Sequence, residues 1–161
     1  MTVVIREIQE QDNAGVAKMI RDVFIEFNAP KEGTVFVDPT TDHLFSIFQE
    51  FQSILWLAEL DNEIVGCCGV FPTQNLPDNC TELVKFYVSS KVRGTGVGKE
   101  LMLKSEQSAI EFGNEQIYIE SLPAFNNAVR IYSKHGYKML KKPLGNSGHF
   151  GCDIWMVKGL K

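Results

Sequence analysis

The spacing of hydrophobic and polar residues predicts two kinds of element along the chain. Apolar runs that alternate or continue for a few residues predict strands, and apolar stripes at helical spacing predict helices. The predicted strands cover residues 3–7, 54–60, 63–71, 81–88, 116–121, 137–140 and 153–157. The predicted helices run from about 12 to 27, from near 41 to 51, from 99 to 112 and from 126 to 135. This order predicts a mixed α/β fold, with one strand–helix–strand crossover around a glycine-rich loop.

Turn residues fix several boundaries of these elements. Asp61-Asn62 joins two apolar strands as a short hairpin turn. Gly113 suits the left-handed position that ends the third helix, and Gly136 stops the fourth. Near Thr41 the predicted helix is rich in aromatic and aliphatic side chains, and these residues are expected to pack in the core. They are Leu44, Phe45, Ile47, Phe48 and Phe51.

Length and composition favour one ordinary globular domain, residues 1–161, with 44% hydrophobic and 22% charged residues. A net charge of −4 and the absence of a basic run argue against a nucleic-acid partner. The mildly acidic composition slightly favours cationic small molecules as ligands. The N-terminal sequence lacks the pattern of a secretory signal, and no apolar run approaches the roughly 20 residues of a membrane span. We therefore expect a cytoplasmic protein with no membrane partner.

Cysteine and histidine spacing gives no metal site. Cys67, Cys68, Cys80 and Cys152 form no CxxC pair, so they are expected to be reduced and mostly buried. His149-x-x-Cys152 lacks the second pair of ligands that a zinc site needs. The sequence thus predicts no metal.

Candidate chemistry centres on the loop Val92-Arg93-Gly94-Thr95-Gly96-Val97-Gly98-Lys99, between a β-branched, aromatic strand and a helix. Glycines let successive backbone N–H groups turn towards an anion, and the helix dipole adds partial positive charge. Arg93 and Lys99 flank the loop with full charges. The pattern predicts a phosphate or pyrophosphate site, the alternative being a glycine-rich turn without a ligand.

Two common phosphate loops do not fit. A Walker loop needs Ser or Thr after its lysine to hold Mg²⁺, and here Glu100 follows Lys99. A dinucleotide fingerprint needs Gly or Ala three residues after Gly96, where Lys99 stands. A nucleotide-dependent phosphotransferase is therefore disfavoured.

Arg93, Gly96 and Gly98 match the pattern (Gln/Arg)-x-x-Gly-x-(Gly/Ala). Two further segments agree with the same family: Glu82-Leu83-Val84-Lys85-Phe86-Tyr87-Val88, and Ala128-x-x-x-Tyr132-x-x-x-Gly136-Tyr137. Over nearly its whole length, the chain resembles the GCN5-related N-acetyltransferase (GNAT) family. The resemblance implies the acyl-CoA N-acyltransferase fold, a mostly antiparallel twisted sheet flanked by helices, and acetyl-CoA as co-substrate.

The resemblance also implies which residues hold acetyl-CoA. The fourth and fifth strands of the family separate, and backbone groups of the fourth pair with the pantetheine arm; a backbone N–H near Val88 then polarises the thioester carbonyl. Many members carry Asn where this chain has Phe125, so a contact from a neighbouring Asn is expected instead. The implied cofactor-binding residues are Phe86, Tyr87, Val88, Arg93, Gly94, Thr95, Gly96, Val97, Gly98, Lys99, Asn126 and Asn127.

Acetyl transfer to an amine needs a base for the ammonium and an acid for the leaving thiolate. Tyr132 matches the family tyrosine that protonates the sulfur, the alternative being a half-buried structural tyrosine. Glu82 and Glu120 are both candidates for the base, and each could instead be a solvated carboxylate at a strand end. A water chain without a dedicated base remains open, and His149 is better explained by a structural hydrogen bond.

The acceptor site is expected in the irregular segments Ala29–Asp42 and Lys141–Cys152, because loops carry specificity on a fixed scaffold. The predicted reaction is direct acetyl transfer, within a ternary complex, to a small-molecule or peptide amine. The alternative is an acyl-CoA-binding sensor or scaffold without turnover. Exposed edge strands are compatible with a homodimer.

Overall fold

In the computed structural model, which describes residues 2–160, seven strands form one sheet in the order β1-β2-β3-β4-β5-β7-β6. Adjacent strands are antiparallel except β4 and β5, which are parallel and joined by a helix. The predicted mixed α/β fold is confirmed, but the crossover around the glycine loop is not the only one in the described chain. A second helix, residues 126–134, connects β5 to β6, which is parallel to β5 with β7 between them. The strands are β1 (Val4–Glu7), β2 (Ile54–Leu60), β3 (Glu63–Phe71), β4 (Cys80–Val88), β5 (Gln116–Ser121), β6 (Lys138–Met139) and β7 (Ile154–Gly159).

The helices cover both faces of this sheet. They are α1 (Asn13–Glu26), α2 (Leu44–Ile47), α3 (Val97–Glu111) and α4 (Asn126–Lys134). Cys67 belongs to the core beneath α1, and Cys68 belongs to the core beneath α3, because neighbouring strand residues face opposite sides. None of the helices within residues 2–160 is both long and apolar enough to cross a membrane.

The hairpin between β2 and β3 follows its turn residues. Asp61 and Asn62 have φ values of 50° and 66°, the left-handed conformation that a two-residue turn requires and that Asp and Asn tolerate. This turn sets the register in which β2 pairs with β3, from Leu60 opposite Glu63 to Ile54 opposite Val70.

The aromatic segment near Thr41 is less helical than predicted. A 3-10 turn, Pro39–His43, begins where the Asp38 side chain accepts a hydrogen bond from Thr40 N, and α2 adds a single helical turn. Phe48 is buried, whereas Phe51 is 81% exposed. The prediction that Phe51 packs in the core is wrong, because the helix ends before its side chain can turn back towards the sheet.

The strands β4 and β5 separate after a short parallel stretch. They pair only at Cys80, Thr81 and Glu82, after which β4 remains paired with β3 and β5 with β7. Lys85 has φ 56°, and the β3–β4 register shifts beside it, so β4 is bulged where the strands diverge. The divergence exposes one backbone edge of β4 at the centre of the sheet.

Candidate active site

A cavity of about 820 Å³ lies where β4 and β5 diverge. Its walls come from β4, the glycine loop, α4, the C-terminal half of α1 and the two irregular segments named above. Elements distant in sequence therefore meet at the gap in the sheet.

The glycine loop presents open space and free backbone donors to this cavity. Gly94 and Gly96 have φ values of 77° and 92°, and a Cβ at either position would meet no atom within 4 Å. The first α-helical bond of α3 runs from Glu100 N to Gly96 O at 3.0 Å, so the N–H groups of residues 97–99 lack intrahelical acceptors. The loop therefore has the geometry that a phosphate requires.

Five of the seven predicted loop residues line the cavity: Arg93, Gly94, Gly96, Gly98 and Lys99. The other two have structural side chains. The Thr95 hydroxyl donates to Val92 O at 2.5 Å, and Val97 is buried. These contacts hold the loop from beneath.

The two cations of the loop differ in their surroundings. Arg93 pairs with Glu26 of α1, donates to Val88 O at 2.8 Å and lies over the Phe27 ring. Lys99 has no ion-pair partner within residues 2–160. Lys99 is therefore the cation of the loop whose charge is available to an entering phosphate.

Aromatic residues form the wall where acetyl-CoA is expected. Tyr87 packs against Phe125, with ring centroids 6.1 Å apart, and Phe125 meets Phe24 of α1 edge-on at 5.2 Å. The departure at Phe125 from the family's common Asn is thus explained by packing. Asn127 lines the cavity and also accepts a hydrogen bond from Arg130, whereas Asn126 is not among the lining residues.

Tyr132 of α4 lines the cavity and is only 4% exposed. Its ring packs between Phe86 and Tyr137, with centroid distances of 5.8 and 5.7 Å. Its hydroxyl has no hydrogen-bond partner within the described chain, and burial raises the pKa of the phenol well above its ordinary value. Tyr132 is therefore a protonated donor at neutral pH, without a competing acceptor.

Glu82 is the last residue of β4 that pairs with β5, and it is 5% exposed. Thr73 donates a hydrogen bond to its carboxylate at 2.5 Å. Burial, with a smaller contribution from Glu120, raises the pKa of Glu82 to about 7. A carboxyl group with this pKa can take up a proton and release it near neutrality.

Glu120, at the end of β5, lines the same cavity but has two hydroxyl donors. Tyr118 donates to one oxygen at 2.7 Å, and Ser147 donates to the other at 2.5 Å. These bonds fix the orientation of the carboxylate and occupy one hydrogen-bond acceptor position on each of its oxygens.

The two irregular segments meet over the cavity. His149 Nε2 lies 2.8 Å from Asp38 Oδ2, and Gly151 N donates to Gly33 O at 2.8 Å. Burial opposes ionisation of Asp38, but hydrogen bonds from Thr40 and His149 hold its pKa below its ordinary value. The structure thus gives His149 the hydrogen bond that the sequence favoured.

Sequence reasoning did not find the Asp38–His149 pair, because 111 residues separate its members. It also overlooked Lys85, although a charged residue inside an apolar strand was a visible signal. Within the part of the chain that is described, no three His, Cys, Asp or Glu side chains are arranged to hold a metal.

Comparison with known proteins agrees with this geometry. The sequence profile of the Acetyltransferase (GNAT) family matches residues 18–137. The protein named "Uncharacterized N-acetyltransferase YjgM" from Escherichia coli (strain K12) is 30% identical over 158 residues, which cover 98% of this chain and 95% of that protein.

Solved structures share the fold. A GNAT-family acetyltransferase from Staphylococcus aureus Mu50 has a TM-score of 0.86 at 21% identity, over 99% of this chain and 100% of that one. The PaiA N-acetyltransferase from Thermoplasma acidophilum, solved in complex with coenzyme A, has a TM-score of 0.76 at 17% identity, over 99% of both chains. The protein is therefore an acetyltransferase enzyme with the predicted acyl-CoA N-acyltransferase fold, and it belongs to the GNAT family.

Proposed function

We propose that residues 1–161 form one catalytic domain that transfers an acetyl group from acetyl-CoA to a primary amine in the cytoplasm. The observation that carries this proposal is that one cavity is lined by two suitable groups. They are Tyr132, a buried phenol with no hydrogen-bond partner within residues 2–160, and Glu82, a buried carboxyl group of near-neutral pKa. Both line one cavity beside the open glycine loop. A base and an acid on the walls of one cavity suit the two proton transfers of amide formation.

The residues present fit acetyl-CoA. The pyrophosphate would be held by the backbone N–H groups of the loop and by Lys99, in the space that the glycines leave open. The pantetheine arm would extend along the free edge of β4 at residues 86–88, as an added strand does. Arg93 would have to release Val88 O for the arm to pair there.

The chain's own groups would then carry the reaction. Glu82 would remove a proton from the bound ammonium, and the amine nitrogen would attack the acetyl carbonyl carbon. A backbone N–H near Val88 would stabilise the oxyanion. When this intermediate collapses, the C–S bond breaks and the Tyr132 hydroxyl protonates the departing sulfur. The second proton lost by the new amide nitrogen then restores the Tyr132 hydroxyl.

We favour Glu82 over Glu120 as the base. A general base must be ionised before the reaction and must bind the proton well once it takes it. A pKa of about 7, to which burial raises Glu82, meets both requirements near neutral pH. The oxygens of Glu120 already accept hydrogen bonds from Tyr118 and Ser147, which suits a role in orienting the acceptor. If a variant without the Glu82 carboxylate kept the wild-type pH–rate profile, a water chain would be the better explanation for removal of the ammonium proton.

The proposal is tested by incubating the purified protein with acetyl-CoA and a panel of primary amines and short peptides. We expect thiol release that depends on the amine, and a product heavier by one acetyl group. A protein that binds acetyl-CoA but acetylates no amine would instead be the non-catalytic acyl-CoA-binding domain.

A further inference from the structure

Lys85 holds an unusual place in the cavity. It lies three residues after Glu82 on β4, at the bulge, in the left-handed conformation that non-glycine residues rarely adopt. The thiol of Cys67 donates to its backbone carbonyl at 2.9 Å and helps to hold the bulge. Its side chain lines the cavity and is partly buried.

The amino group of Lys85 has no close partner within residues 2–160. No carboxylate oxygen lies within the 4.0 Å of an ion pair, and no side-chain hydrogen bond of Nζ is found in this part of the chain. Nζ keeps contact with the open cavity, because no fully buried side-chain nitrogen of the described residues lacks a partner. Burial lowers its pKa, while the more distant charges of Glu82 and Asp38 partly offset that effect. A partly buried cation in this state is stabilised by an anion that enters the cavity.

The acidic side chains around Lys85 are already satisfied. Glu82 accepts a hydrogen bond from Thr73, and Glu120 accepts from Tyr118 and Ser147. Asp38 is bound by Thr40 and His149. This end of the cavity contains more carboxylates than cations. Among the described residues, however, the charged group that lacks a partner there is the amino group of Lys85.

We infer that the acceptor carries a carboxylate as well as its amine, as an amino acid or a peptide C-terminus does, and that Lys85 binds this carboxylate. The inference rests on the proposed function, because it assigns a second anchor to the same acceptor. Glu82 takes the ammonium end, and Lys85, on the same strand, takes the other. A polyamine would instead bring a second cation towards Lys85 and leave it unpaired.

The test compares matched acceptors that differ only in the carboxylate. Amino acids and a dipeptide are assayed beside their C-terminal amides, with putrescine and spermidine as amines without a carboxylate. For wild type we expect kcat/KM to be about 10- to 100-fold higher for the acid than for its amide, the strength of one charge-assisted hydrogen bond. The difference should lie mainly in KM.

Lys85→Met should abolish this preference, so that the ratio of kcat/KM for the acid to kcat/KM for its amide falls close to 1. The ratio of acid to amide is the informative quantity, because removing Lys85 also alters the charge near Glu82 for every acceptor. Met removes a partly buried charge that has no ion-pair partner within residues 2–160, so the variant should fold. Lys91→Met is the matched control, since Lys91 is exposed and pairs with Glu63 away from the cavity.

Equal turnover of acids and amides by wild type would overturn the inference and leave the proposed function standing. So would polyamines as the best acceptors, or a Lys85→Met variant that keeps the preference. Absence of turnover with every amine would instead overturn the proposed function, and the inference with it.

Discussion

Replacing Glu82 by Gln is the perturbation whose consequences follow most directly from the structure. Gln keeps the shape of the side chain and can still accept the hydrogen bond from Thr73. It cannot take up a proton, and it carries no charge into the buried site. The variant should therefore lose the base and, at the same time, remove a cost to folding.

Both effects can be given a size. With a pKa of about 7, Glu82 is roughly one-tenth ionised at pH 6, so wild-type kcat/KM should rise about tenfold from pH 6 to its plateau. Above pH 7 the Gln variant should be about 10²- to 10⁴-fold slower, and its inflection near pH 7 should disappear.

The effect on stability has the opposite sign. Burial raises the pKa of Glu82 from 4.5 to about 7, so the folded protein holds this proton more tightly than the unfolded chain. The stabilisation is complete below pH 4.5 and is lost as pH rises through 7. At about 1.4 kcal/mol per pH unit the loss reaches about 3 kcal/mol, an upper value because Lys85 and Glu82 influence each other.

Two assays check these expectations together. The pH dependence of kcat/KM is measured for both proteins with one accepted amine, and urea unfolding is measured at pH 5 and pH 8. The difference in unfolding free energy between Glu82→Gln and wild type should grow with pH in favour of the variant. A variant that keeps the pH 7 inflection, or a stability difference that stays constant with pH, would refute the reasoning.

Three further predictions follow. Gly96→Ala and Gly113→Ala each place a Cβ in open space at positive φ, so each should lower the free energy of unfolding in urea by about 1 kcal/mol. Only Gly96→Ala should weaken acetyl-CoA binding, measured by calorimetry. Tyr132→Phe should lower kcat by about 10²- to 10⁴-fold and leave acetyl-CoA affinity nearly unchanged, whereas activity within twofold of wild type would make this tyrosine structural. In the wild type, the amino group of Lys158 lies 3.0 Å from a carboxylate oxygen of Glu106. Glu106→Ala removes this partner, so the free energy of unfolding should fall by about 2 kcal/mol, while KM for acetyl-CoA should not change.

Local patterns were sufficient for most of the fold. The hairpin turn at Asp61-Asn62 and the left-handed Gly113 that ends α3 depend on neighbouring residues only, and the structure places them as predicted. The glycine loop was also recognisable in the sequence, because a phosphate site would require absent side chains at fixed spacing, and the structure leaves the space at Gly94 and Gly96 open. The order of strands came from resemblance, since periodicity does not specify which strands pair.

The rest depended on contacts between distant segments. Arg93 pairs with Glu26, 67 residues away, and this partner could not be inferred from the loop itself. The bulge at Lys85 is a response to pairing with β3, and its φ of 56° contradicts the strand propensity of its neighbours. The sequence alone could not rank Glu82 and Glu120 as candidate bases, because they differ in burial and in the hydroxyl groups that donate to them.

The most direct test of acetyl transfer in this cavity uses acetyl-CoA labelled with ¹³C in the acetyl group. The wild-type protein and a Glu82→Gln/Tyr132→Phe double variant are each given the labelled compound and a mixture of primary amines, and products are followed by NMR. Wild type should produce a labelled acetamide signal, while the double variant should bind acetyl-CoA and produce the signal at least 10²-fold more slowly. Equal rates of acetamide formation by the two proteins would contradict the account.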